Sequence, residues 1–343
     1  MKKMLTLALA LTMMVSAAAC GSTKNGNANG EIGSAVYGEN QSQMAEQGEN
    51  NNNQITVTCL NGTGETVEIT VPRNPKRVAV LDFAALDILD SLGLGSRVTG
   101  TSNVSLEYLS SYNDREDIMA LGTIKEADME ALMECRPEII FMGGRMSEYY
   151  DAFSEIAPVV RLTTDSELGV VESTRKNSKI IASVFGMENE IDKKLEAYEE
   201  RIHALAESAE GKTALVGIFS GGSLSLLGND GRCSMIGKEI GFENIGIREE
   251  ASTSTHGNEV SYEFIADANP DYIFVMDRDA AIGTQGAALA QDVIENELVK
   301  QTDAYKKGRI IYLENPGVWY TAEGGITALD IMISDLENAL QEY

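Results

Sequence analysis

The sequence predicts an α/β protein of two lobes, each on a mostly parallel sheet, joined by a single long connector helix. Three observations predict it. From Arg77 onward, apolar runs of strand length alternate with helical segments, the order that builds parallel sheets through helical crossovers. One apolar stripe of helical period, near residues 188–209, is much longer than its neighbours. A pattern of Glu, Pro and Arg with fixed offsets recurs once on each side of that segment.

The elements follow in order. Lys2 and Lys3 precede an apolar run over residues 4–19, shorter than the ~20 residues that span a bilayer. Ser16-Ala17-Ala18-Ala19-Cys20-Gly21 closes it with small residues, so residues 1–19 read as an export signal. A Cys directly after such a run resembles a bacterial lipoprotein signal, which makes Cys20 the lipidated first residue of the mature protein; Ala17 stands where that pattern prefers Leu, and a plain secretory signal is the alternative. The stretch up to residue 53 is rich in Asn, Gly, Gln, Ser and Glu and has almost no apolar periodicity. It cannot bury enough surface to offset its chain entropy and is expected to be a flexible tether.

The folded body is expected from residue 54: an N-terminal lobe over 54–187, the connector over 188–209 and a C-terminal lobe over 210–343. Ile55-Thr56-Val57-Thr58 and Val67-Glu68-Ile69-Thr70-Val71 alternate apolar and polar residues around Asn61-Gly62, as in a hairpin. Arg77-Val78-Ala79-Val80-Leu81 reads as a buried strand, followed by a helix that stops at Gly93. Ile191, Leu195, Tyr198, Ile202, Leu205 and Ala209 form the connector's stripe, on a helix roughly 33 Å long at 1.5 Å per residue. Gly211 ends it and a strand begins at Thr213.

Glu130 opens a helix in the first half, Pro137 and a strand follow, then Arg145; Glu263, Pro270, a strand and Arg278 repeat the offsets in the second. Each Arg lies just past the carboxyl end of a strand, where open α/β sheets place ligands. Each Glu lies at a helix start, where the dipole favours an anion. Simple helix stabilisation accounts for the glutamates equally well.

A formal charge of −26, from 53 acidic and 27 basic residues, excludes a general nucleic-acid binder and argues against docking on anionic lipid through charge. The two histidines, His203 and His256, leave no material for a multi-histidine zinc or manganese site. The four cysteines are too few and scattered for a disulfide scaffold; Cys135 reads as buried and inert, and a Cys59–Cys233 bridge stays open. Gly217-Ile218-Phe219-Ser220-Gly221-Gly222 is one residue too long for G-x-S-x-G and is more simply a glycine-rich strand-end loop at the cleft. No G-x-G-x-x-G follows the first strand and no P-loop lysine is present. The expectation is therefore not an enzyme, with a secreted α/β hydrolase as the remote alternative.

The order of features resembles the extracytoplasmic binding proteins of ABC importers for iron–siderophores and cobalamin, in particular the binding lipoproteins for catecholate siderophores. Ser254-Thr255-His256-Gly257, Val260-Ser261-Tyr262-Glu263-Phe264-Ile265, Asn269-Pro270-Asp271-Tyr272, Gly317-Val318-Trp319-Tyr320 with Gly324-Gly325, and Gly143-Gly144-Arg145 followed by Ile156-Ala157-Pro158 carry it. The resemblance implies a lipid-anchored protein outside the cytoplasm that captures a ferric catecholate and hands it to an ABC permease with its ATPase, as a monomer. Fe(III) then arrives inside the siderophore, and no intrinsic cofactor is expected. A hydroxamate siderophore, haem or cobalamin is the alternative cargo.

Anionic catecholates call for fixed positive charge in an otherwise acidic chain. Arg145, Arg278 and Arg232 (in the turn Gly228-Asn229-Asp230-Gly231-Arg232) can supply it, since arginine hydrogen-bonds in a fork and stacks on rings. Asp277 and Asp279 could instead neutralise Arg278. Trp319, the only tryptophan, is assigned to the ligand beside them, with packing as its other role. The resemblance further implies that His256 and Tyr320 complete the coordination of Fe(III) and that Glu130 and Glu263 dock onto the permease. Tyr320 is expected in a turn, and His203 is expected to be solvated.

Overall fold

The computed structural model describes residues 53–248 and 258–341. Two sheets organise them. The first holds β1 (Gln54–Leu60), β2 (Thr66–Pro72), β3 (Val78–Leu81), β4 (Val98–Thr101), β5 (Met119–Ala120), β6 (Ile139–Met142) and β7 (Val159–Arg161), in the order β2-β1-β7-β6-β3-β4-β5. From β7 to β5 the pairing is parallel, and the β1–β2 hairpin adds antiparallel at one edge. The second holds β8 (Thr213–Ser220), β9 (Ser223–Leu226), β10 (Glu243–Asn244), β11 (Asn258–Glu259), β12 (Tyr272–Asp277) and β13 (Ile310–Tyr312). Its order is β11-β9-β8-β12-β13, with β10 also beside β8. Here β8, β10, β12 and β13 pair in parallel, while β9 and β11 are antiparallel. The central strands are buried along nearly their whole length, which is why their sequences are continuous apolar runs rather than alternating ones.

Local chemistry accounts for the element boundaries. Asn61 builds the β1–β2 turn: its side-chain oxygen accepts from the backbone N–H of Thr63 (3.0 Å) and Glu65 (2.9 Å). Asp82 caps the helix Phe83–Ser91 by accepting from the Ala85 N–H at 3.0 Å. The internal repeat is structural as well as sequential. Helices Met129–Cys135 and Tyr262–Ala268 are capped by Asp128 and Ser261, and both end on a left-handed residue, Arg136 (φ 46°) and Asn269 (φ 43°), directly before a proline. Each then feeds a buried parallel strand, β6 or β12.

The expected connector is the helix Asn189–Ala209, with Ile191, Leu195, Ile202, Leu205 and Ala209 buried, Tyr198 half-buried and His203 exposed. It is braced by neighbours on both sides. Arg175, on the helix Gly169–Val184, donates to Glu172 (3.1 Å), Asp192 (2.7 Å) and Glu199. Arg201 on the connector donates to Ser334 (2.9 Å), Glu337 (2.6 and 2.8 Å) and Asp330, all on the closing helix Ile326–Gln341.

Carboxylates also reach across between the two halves. Asp87, on the first helix, accepts from the Thr327 and Ala328 N–H groups (2.9 and 2.8 Å) and so caps the closing helix. Gly325 makes room for it; a Cβ there would lie 2.6 Å from the Asp87 carboxylate. Conversely, the helix Gly169–Val184 has no capping side chain of its own, and Glu239 accepts from the Val170 and Val171 N–H groups instead. Each half thus supplies four-residue-turn donors of the other with an acceptor that sequence neighbours do not provide.

Cys59, Cys135 and Cys233 are all buried free thiols, so the Cys59–Cys233 bridge that the sequence left open is not formed. Among the described residues, no helix is long and apolar enough to cross a membrane.

Candidate functional site

The carboxyl ends of β3, β6, β7 and β12 deliver Asp82, Gly144-Arg145, Leu162-Thr163-Thr164 and Arg278 to the wall of one cavity of about 810 Å³. The turn ahead of the short helix Met235–Lys238 adds Asp230, Gly231 and Arg232, and the helix Pro316–Thr321 with the loop after it adds Tyr320, Thr321 and Glu323. Both halves of the chain therefore line it.

Tyr320 is the centre of the cluster. Three guanidinium groups surround its ring, with Arg232 at 4.5 Å, Arg145 at 4.8 Å and Arg278 at 5.6 Å from the centroid. Arg278 Nε donates to the phenolic oxygen at 3.1 Å, and Arg145 donates to the Tyr320 carbonyl. Burial by itself would push the phenol up. The Arg278 hydrogen bond and the charges of Arg232 and Arg278 outweigh it and hold the phenol below the usual tyrosine value. Burial, then the charge of Arg145, pulls Arg232 below the ordinary arginine value.

Each arginine has a carboxylate behind it. Asp279 lies 3.8 Å from Arg278 and accepts from the Gly221 N–H at 2.7 Å, so it is held by backbone as well as by the cation. Asp277 caps its own helix through the Ala280 N–H (2.9 Å). Of the two aspartates that the sequence weighed against Arg278, the ion pair is with Asp279. Asp82 acts on Arg145 through its charge; burial pushes the Asp82 carboxyl above the ordinary carboxylate value despite the Ala85 N–H and Arg145. Gly143 permits that approach, since a Cβ there would come within 2.1 Å of Asp82 Oδ2. Glu323 stands behind Arg232 and is pushed up to about 8 by burial, which outweighs Arg232 and the Cys233 N–H.

The structure thus brings together Arg145, Arg232, Arg278 and Tyr320, four residues expected at the ligand. Trp319 is corrected. It is fully buried (0% exposed) and its Nε1 donates to Asp335 at 2.8 Å, so it packs the closing helix and does not face the cavity. Adjacent residues of a helix point in different directions, and Tyr320 takes the cavity side. Tyr320 itself sits in a short helix begun by Pro316, not in a turn. The Ser220–Ser223 loop joins β8 to antiparallel β9; it does not line the cavity, and Ser220 Oγ accepts from Arg278 (3.1 Å). His256 and Cys20 lie outside the described residues. Glu130 and Glu263 occupy exposed first turns of their two equivalent helices.

Sequence reasoning missed Asp82, Glu323 and the hydroxyl-bearing wall at Thr163, Thr164 and Ser166. Asp82 had a usable signal, as the first residue after a buried strand. Glu323 had a weaker one, lying between Tyr320 and Gly324-Gly325.

A bilobal α/β body with one cavity lined from both halves, and three arginines gathered inside it, defines a solute-binding protein. The chain belongs to the Periplasmic binding protein family, whose sequence model matches residues 78–316. It is similar to the petrobactin-binding protein YclQ of Bacillus subtilis (strain 168), with 34% identity over 100% of both chains. The crystal structure of YclQ matches with a TM-score of 0.77 at 33% identity, over 84% of this chain and 100% of that one. The ferric-anguibactin-binding protein FatB of Vibrio anguillarum is 29% identical over 84% of this chain and 88% of its own. The periplasmic catecholate-siderophore binding protein VctP from Vibrio cholerae matches with a TM-score of 0.74 at 30% identity, over 83% of this chain and 100% of that one. These are binding proteins, and the hydrolase alternative falls with them.

Proposed function

We propose that the protein captures a ferric catecholate siderophore outside the cytoplasm and delivers it to an ABC permease with its ATPase. The observation that carries the reading is the packing of three guanidinium groups around one acidified phenol inside a single cavity. Hard Fe(III) favours oxygen donors, and two dianionic catecholates leave the complex with a net negative charge and two open coordination positions. Tyr320 offers a phenolate and His256 an imidazole for those positions, while Arg145, Arg232 and Arg278 balance the charge. The names of the similar proteins, which speak of petrobactin, ferric anguibactin and catecholate siderophores, support the same class of cargo.

The finer assignments belong to this reading. Cys20 carries the lipid anchor, supported by the small residues that precede it. Glu130 and Glu263 dock onto the permease, supported by their exposure on equivalent helices. The protein acts as a monomer, and iron is cargo rather than a resident cofactor. A titration panel tests the reading, with tetradentate and hexadentate ferric catecholates set against a ferric hydroxamate, haem and cobalamin. Tightest binding of a ferric catecholate is expected; a preference for any of the other three overturns it.

A further inference from the structure

We propose that Glu323 is a charge-selecting residue of the cavity: when ionised it is the internal counter-ion of Arg232, and an anionic ligand is accommodated only with a proton on the Glu323 carboxyl group. The inference rests on the proposed reading of the cavity as an anion site and adds a residue and a proton to it.

The argument starts from geometry. Glu323 lines the cavity from the turn that follows the Tyr320 helix, beside Arg232. Its Oε1 is sealed from solvent and has no hydrogen-bond partner. A lone, unpartnered carboxylate oxygen is costly to bury, and protonation removes that cost. The groups facing it are few: Arg232 and Cys233 from the preceding turn, and Glu239 from the end of the helix Met235–Lys238, with Lys238 beside Glu239. Glu239 is itself committed to the Val170 and Val171 N–H groups, so its charge opposes that of Glu323 rather than relieving it. Among the described residues, Arg232 is the cation that acts on Glu323.

The charge inventory then decides the role. Around Tyr320, Arg145, Arg232 and Arg278 face Asp82, Glu323 and Asp279 in turn, and with all six ionised their charges cancel; Lys125, Asp165 and Asp230 also line the wall and add no net positive charge. A neutral cluster has no net attraction for an anion. Of the three acids, Asp279 is held by the Gly221 N–H and by Ser220, and Asp82 by the Ala85 N–H. Glu323 accepts from the Cys233 N–H, but its Oε1 has no partner, so a proton there relieves the buried oxygen when an anion approaches. Its carboxyl group already sits near 8, and a neighbouring anion raises it further. Wild-type protein therefore takes up a proton with its ligand above about pH 8, and below that it is already protonated.

The probe is the ferric complex of a linear bis-catecholate, titrated between pH 6.5 and 9 into wild-type protein and Glu323→Gln, the neutral isostere. At pH 9 a carboxyl group of pKa about 8 is protonated in only about one molecule in ten, so Glu323 weakens wild-type binding up to about tenfold relative to pH 6.5. In Glu323→Gln that component is missing. The ratio of its dissociation constants at the two pH values should be smaller than the wild-type ratio by up to about tenfold. Calorimetry in buffers of different ionisation heat should show proton uptake at pH 8.5 in wild type that the variant lacks. Ionisation of Tyr320 or His256 is common to both proteins and cancels in the comparison. Identical pH profiles and identical proton counts overturn the inference. If neither protein binds the complex at pH 6.5, while near-ultraviolet circular dichroism shows both folded, the reading of the cavity as a ferric-catecholate site fails instead.

Discussion

Replacing Asp87 by Ala should destabilise the protein by about 3 kcal/mol. The side chain is fully buried and accepts from four donors: the Thr327 and Ala328 N–H groups (2.9 and 2.8 Å), the Tyr108 hydroxyl (2.7 Å) and the Ser91 hydroxyl (3.2 Å). Ser91 can turn to Thr327 Oγ1, 3.0 Å away, but the other three would be left without a partner, the Ala328 N–H fully buried and the Thr327 N–H and Tyr108 hydroxyl partly so. At ~1–3 kcal/mol per orphaned buried donor, simple addition gives roughly 3–9 kcal/mol. The lower end is the better figure. Burial pushes the Asp87 carboxyl above the ordinary carboxylate value in spite of all four donors, so desolvation of the charge already offsets part of what the hydrogen bonds contribute. A loss of about 3 kcal/mol corresponds to a fall in Tm of roughly 5 °C for a folded body of this size.

The assay is thermal and urea unfolding followed by the emission of Trp319. That residue is the only tryptophan and is bonded to Asp335 of the helix that Asp87 caps. The sign of the pH dependence is also fixed. Because its folded pKa is raised, Asp87 contributes stability that is fully present below the unfolded-state pKa and is lost as pH rises through the folded one, so the wild-type advantage over Asp87→Ala should be larger at pH 4 than at pH 7. A Tm change below about 2 °C, or an advantage that grows with pH, would refute the reasoning.

Three further outcomes are expected. In an alkaline titration of phenolate absorbance, one tyrosine should ionise below the rest and Tyr320→Phe should remove that step, while Tyr108 and Tyr312, pushed up by burial and by Asp87 and Glu295, should stay protonated longest; an unchanged curve would rule out an acidified Tyr320. His256→Ala and Tyr320→Phe should each weaken a tetradentate ferric catecholate and shift its visible charge-transfer band, with far less effect on a hexadentate one; no change in either quantity means that neither side chain is a ligand to the iron. Changing Glu130 and Glu263 together to Ala should abolish iron uptake by cells and leave ligand affinity intact, and a drop in affinity would move these residues from docking to the cavity or to stability.

What the sequence determined by itself was whatever local physics controls. The connector's stripe follows from a period of 3.6 and was legible because its partners lie within a few turns. The buried strands could be read from their continuous apolar runs. The repeated unit of cap, short helix, left-handed residue, proline and strand was equally legible, because each boundary is set by one or two adjacent residues. Arg145 and Arg278 could be placed at strand ends for the same reason. Only the tertiary structure decided which side chains share a dielectric environment. It set Trp319 against Asp335 and turned the neighbouring Tyr320 toward three arginines, the farthest of them 175 residues away in the chain. It made Asp87 and Glu239 the caps of helices that lack one of their own, and it buried Asp82 and Glu323 behind Arg145 and Arg232. Desolvation is a property of everything that surrounds a group, and an acid or arginine that reads as an ordinary surface charge in one dimension acquires its chemistry only when distant segments close over it.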